Sequence, residues 1–76
     1  MNIDRRKRIE AVKEKLQEIV AELESIIEEE QGYFDNMPES FQSGERGQKA
    51  EYAVSELESC KEAIEGGFDN LDEAAL

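Results

Sequence analysis

The chain has 76 residues, with 20 acids against 9 bases, one cysteine and no histidine. That length allows one domain with a marginal core, which neither a disulfide from the lone Cys60 nor a four-ligand zinc site without histidine can supplement. Oligomerisation is the supplement left, and the net charge of −11 has the wrong sign for gripping phosphates or an anionic membrane.

Residues 3–36 are predicted as one long helix, with Asn2 or Asp4 available to cap its start. Ile9, Val12, Leu16, Ile19, Leu23 and Ile26 recur in alternating steps of three and four, the spacing of a coiled-coil seam. Val20 and Ile27 sit beside that seam and widen the apolar stripe to the width a packed bundle needs. Pro38 ends the helix, because it lacks an N–H and pushes Met37 out of helical geometry. Residues 37–47 then read as loop, with Pro38, Ser40, Ser43, Gly44 and Gly47 close together. Ser40 or Ser43 can cap the helix after it.

Residues 48–75 are predicted as the second helix. Ala50, Leu57, Ile64 and Leu71 recur at sevens, and the small residues Ala53, Cys60, Gly67 and Ala74 form a second row at the same interval. Val54 and Phe68 flank these rows. The small row should let a neighbouring helix come close. Gly66 and Gly67 each cost about 1 kcal/mol of helix propensity, so the pair is read as a kink or a point of close contact.

Two helices of similar length with a short connection fold back on each other. The charge map agrees. Residues 1–15 carry a net +3, leaving −14 for the rest. An antiparallel hairpin sets Arg5, Arg6, Lys7 and Arg8 near Glu62, Glu65, Asp69, Asp72 and Glu73, which relieves the dipole penalty at both helix ends. An internal echo at an offset of 34 accompanies this: ELES at 22–25 recurs at 56–59, and FDN at 34–36 recurs at 68–70. The echo reads either as a duplication or as two acidic helices of similar composition. The expected fold is all-α: an antiparallel helical hairpin with coiled-coil-like seams, assembling into a helical bundle. A lone hairpin leaves each stripe half covered, so a dimer or higher oligomer is expected. Its seam would draw on Ile9, Val12, Leu16, Ile19, Leu23, Ile26, Ala53, Leu57, Cys60, Ile64, Phe68 and Leu71.

The chemistry points to binding and away from catalysis. There is no histidine, no phosphate-cradling glycine loop and no nucleophile–base pair at recognisable spacing, so the chain is not expected to be an enzyme or to carry a cofactor. Asp69, Asn70, Asp72 and Glu73 lack the spacing and central glycine of a calcium loop. Cys60 is expected to be buried on the seam as a small apolar residue, or else to form a disulfide across a symmetric interface. Tyr33, Phe34, Met37 and Phe41 gather at the turn, either as a plug over the helix ends or as an exposed tip for a partner. Glu22, Glu24, Glu28, Glu29 and Glu30 crowd the first helix. A dimer would carry roughly −22 on a rod about 50 Å long, enough to imitate DNA to a basic groove; the plainer reading is a solubilising face. No signal peptide or spanning segment is read, and an intracellular protein is expected.

Residues 28–58 resemble a recurring group of small phage and prophage proteins. These share a basic start like Asp4-Arg5-Arg6-Lys7 and a core that stands here as Gln31, Phe34, Asp35, Asn36, Met37, Pro38 and Glu39. The resemblance implies a setting, phage accessory genes in a bacterial cytoplasm, and no mechanism. The same core also has a structural reading, since Asn36 tolerates left-handed geometry at a helix end. Three functions stay open: a homo-oligomeric adaptor or inhibitor acting through the tip, a DNA mimic on a basic host protein, and an oligomeric sponge for a signalling nucleotide held by Arg5, Arg6, Arg8 and Arg46. Itself and a basic host protein are the expected partners, with no direct nucleic acid and no membrane.

Overall fold

The first helix starts where a side chain can replace a missing intrahelical acceptor. The Asn2 side-chain oxygen accepts the backbone N–H of Arg5 at 2.8 Å, satisfying one of the donors that every helix N-terminus leaves free. In the computed structural model, which describes residues 1–76, α1 runs over Ile3–Asp35. It closes at Asn36, which stays right-handed with φ −88° and ψ −1°. The left-handed turn expected there does not form. Instead the Gly32 carbonyl accepts twice from Asn36, from its backbone N–H at 3.0 Å and from its side-chain amide at 2.8 Å.

Pro38 ends α1 as expected, yet the stretch after it is more ordered than a loop. With φ −57° and ψ 149° it stands as the N-cap of a one-turn helix, α2, over Glu39–Gln42. The next helix, α3, spans Glu45–Ala74 and so begins three residues before the predicted boundary. Neither Ser40 nor Ser43 caps it. Gly44 takes the capping position without a side-chain bond, while the Ser43 hydroxyl donates back to the Glu39 carbonyl at 3.3 Å. Gly47, read from the sequence as loop, lies buried in the first turn of α3. A Cβ there would overlap the Gln42 carbonyl, so only glycine lets α2 fold down onto α3.

α1 and α3 pack antiparallel, and the residues covered between them define the seam. On α1 these include Ile9, Lys13, Leu16, Val20, Leu23, Ile27 and Phe34; on α3 they include Gly47, Ala50, Val54, Leu57, Lys61, Ile64, Phe68 and Leu71. Both sets advance in steps of three and four. Between the two helices of one chain, half of the expected rows are displaced by one position. Val12, Ile19 and Ile26 give way to Lys13, Val20 and Ile27, and the Ala53–Cys60–Gly67–Ala74 row gives way to Gly47, Val54, Lys61 and Phe68. On α3 the physical reason is side-chain bulk. Val54 and Phe68 fill an inter-helix gap that alanine and glycine would leave open, and the stems of Lys13 and Lys61 cover apolar surface while their ammonium ends reach the rim.

The echo is in phase with this packing. An offset of 34 carries Val20 onto Val54, Leu23 onto Leu57 and Phe34 onto Phe68, and all six face the seam.

The result is an all-helical rod of 58 × 15 × 11 Å. Its radius of gyration is 17.4 Å, against about 11 Å for a compact domain of this length. Val20, Ala50 and Val54 are the only buried hydrophobic residues. No helix is long and apolar enough to cross a membrane.

Candidate interaction surface

The two sides of the seam differ in chemistry. Residues one step after the seam positions Ile9, Leu16, Leu23 and Glu30 are Glu10, Gln17, Glu24 and Gln31; on α3 the corresponding row is Glu51, Glu58, Glu65 and Asp72. These rows share one flank, which is polar and largely acidic. Glu24, Glu28, Glu58, Glu62 and Glu65 line a groove there with Lys61 among them. Lys61 pairs with Glu24 at 3.2 Å. Lys13 pairs with Asp72 across the seam and with Glu10 at 3.8 Å on its own helix. A hydrogen bond to Asp72 holds the Lys13 ammonium above its ordinary pKa of 10.5, opposed by desolvation. A hydrogen bond to Glu24 raises that of Lys61 in the same way.

The opposite flank is formed by the residues one step before the seam. On α1 these are Val12, Ile19, Ile26 and Tyr33, at strict sevens; on α3 they are Arg46, Ala53, Cys60, Gly67 and Ala74. Antiparallel packing puts both rows on one side, and two recesses mark that side. One, at the open end, is lined by Arg5, Arg8, Ile9, Val12 and Lys15 of α1 with Leu71 of α3. The other, at the turn, is lined by Tyr33, Met37, Pro38, Phe41 and Arg46. Between them Val12, Ile19, Ile26 and Tyr33 are 44, 46, 43 and 51% exposed. The α3 side of this flank is nearly flat, because its row is alanine, cysteine and glycine.

The predicted site residues distribute over these surfaces. Ile9, Leu16, Leu23, Leu57, Ile64, Phe68 and Leu71 lie half-buried in the seam, whereas Val12, Ile19 and Ile26 are exposed on the apolar flank beside half-buried Ala53. Cys60, expected buried, is exposed in the helix pair. At the turn, Phe34 and Met37 are half-buried, while Tyr33 and Phe41 face out. The aromatic cluster thus divides into a plug and an exposed pair. The five glutamates do not form one face, since a helix turns about 100° per residue. Glu24 and Glu28 join the acidic flank, Glu22 and Glu29 edge the apolar flank, and Glu30 is half-buried at the seam. The arginines proposed to gather round a nucleotide are also separated: Arg5 and Arg8 line the open-end recess and Arg46 the one at the turn. Arg6 donates to the Leu76 carbonyl at 3.2 Å.

α3 runs unbroken through Gly66 and Gly67 to Ala74. A Cβ at either would meet nothing within 4 Å, so neither marks a close contact inside the chain. Sequence reasoning missed Lys13 and Lys61 as members of the seam, and Gly47 as the point where α2 comes closest to α3. A charge falling at an otherwise apolar heptad position is the only signal the lysines leave. No protein-family model, curated protein or solved structure matches the chain.

Proposed function

We propose that this chain is a small acidic helical hairpin that self-associates into a bundle and acts by protein–protein binding, as an accessory protein of phage or prophage origin in the bacterial cytoplasm. The observation that carries the reading is the apolar row Val12–Ile19–Ile26–Tyr33 left open along one flank. An accessible surface of 5762 Å² supports it. A compact monomer of 8.7 kDa exposes roughly 4,700 Å². The surplus, about 1,000 Å², is of the size one partner contributes to a standard interface. Light scattering across a dilution series tests it. A concentration-dependent mass above 8.7 kDa that falls to the monomer in Ile19→Asp, with helicity retained, is expected. A folded wild-type monomer at every concentration would sink it.

A second reading rests on the acidic flank. Glu24, Glu28, Glu58, Glu62 and Glu65 share one groove with a single lysine, and such a row can occupy the basic groove of a nucleic-acid-binding host protein. Affinity for that partner should drop steeply between low and moderate salt. Binding that ignores salt removes this reading and leaves the turn, with Tyr33 and Phe41, as the contact.

A further inference from the structure

Resting on the proposed self-association, we infer that the second copy lies antiparallel on the apolar flank, about a two-fold axis at Ile19. Both the exposed row and its charged border are self-complementary about that residue. Turning α1 end for end about Ile19 lays Val12 on the partner's Ile26 and Ile19 on itself. The flanking row, one turn outward, reads Arg8, Lys15, Glu22 and Glu29. The same rotation sets Lys15 against the partner's Glu22 and Arg8 against the partner's Glu29. Each pair occurs twice, as an isologous interface requires. A parallel copy would set like charges level with like.

The α3 side admits this approach. Lys13 meets Asp72 and Lys61 meets Glu24, so the level of Ile19 on α3 falls at the glycine pair. Gly67 lies on the apolar flank with open space over it. It leaves room for the partner's α3 to cross beside the axis.

The alignment is tested by charge exchange between chains. Lys15→Glu alone should weaken the dimer roughly tenfold, and Glu22→Lys alone similarly, because each puts two like-charged pairs across the axis. Mixing the two variants, one of them isotope-labelled, should restore affinity and give heterodimers in preference to either homodimer by native mass spectrometry. Glu28→Lys makes the same charge change on the acidic flank and should not rescue Lys15→Glu. Ile19→Cys in a Cys60→Ala background should cross-link under mild oxidation. Native Cys60 should not, since its two copies stand about 18 Å apart along the rod. A wild-type dimer in which the mixture shows no preference, or in which Ile19→Cys stays uncrosslinked, overturns this alignment while leaving self-association intact. A wild-type monomer overturns both.

Discussion

Ile19 and Val20 are chain neighbours of similar chemistry, yet one lies on the open flank and the other in the seam. Val20 is 8% exposed against 46% for Ile19. Along α1 the same contrast repeats at Val12 beside Lys13 and at Ile26 beside Ile27. A one-residue step on a helix therefore separates two jobs: the inner row holds the chain together, and the outer row is left for something else. Two apolar rows side by side are more than a two-helix pair can bury, and the rod keeps the surplus on one side only.

The largest effect should come from charging the inner row. Val20→Asp puts an unpaired carboxylate where no partner waits, at a cost of about 3 kcal/mol or more. Helical circular dichroism should then collapse at every protein concentration, whereas Ile19→Asp should keep it. Equal loss in both variants would mean that the two rows are not distinct. Next in size is Gly47→Ala, which forces a methyl into the α2 backbone and should cost about 1–3 kcal/mol in urea unfolding; an unchanged midpoint would deny the close approach. Gly66→Ala, facing open space away from either row, should instead stabilise by roughly 0.5–1 kcal/mol, and a lowered midpoint would reveal a contact there. The smallest effect is electrostatic. Lys13 and Lys61 have raised pKa values, so their contribution is complete below the ordinary 10.5 and is lost as pH rises through the folded-state values. Stability followed from pH 9 to 12 should decline, with less decline in a Lys13→Met, Lys61→Met double variant.

Much of this architecture was legible in the sequence. Pro38 marked the end of α1, Asn2 its start, and the sevens of Ala50, Leu57, Ile64 and Leu71 gave one true row of α3. The row that packs inside the helix pair was harder to read, for a definite reason. An unbroken apolar series through Val12, Ile19 and Ile26 looks better than one interrupted by Lys13, and periodicity alone does not weigh a lysine stem laid over apolar neighbours. The small row of α3 misled in the same way, because its regular spacing outweighed the bulk of Val54 and Phe68. Gly47 was hidden for another reason. Its requirement comes from the Gln42 backbone folding down from α2, a contact that no local pattern records. The basic cluster at residues 5–8 pointed to the right end of α3 but overshoots it, so Lys13 makes the carboxylate contact and Arg6 reaches only the Leu76 carbonyl.

The pairing of Lys61 with Glu24 also fixes how far α3 can slide. Along the facing row of α1 the residues alternate: Glu10, Gln17, Glu24, Gln31. A slip of one heptad in either direction would carry the Lys61 ammonium from a carboxylate to a neutral amide, at Gln17 or Gln31. An apolar seam of near-equivalent layers tolerates such slips, and a charge at an inward position is a recognised way to forbid them. Lys61 thus acts as a register lock, and the alternation of glutamate with glutamine along α1 is the key it fits; Lys13 faces an unbroken acidic row and adds no such choice.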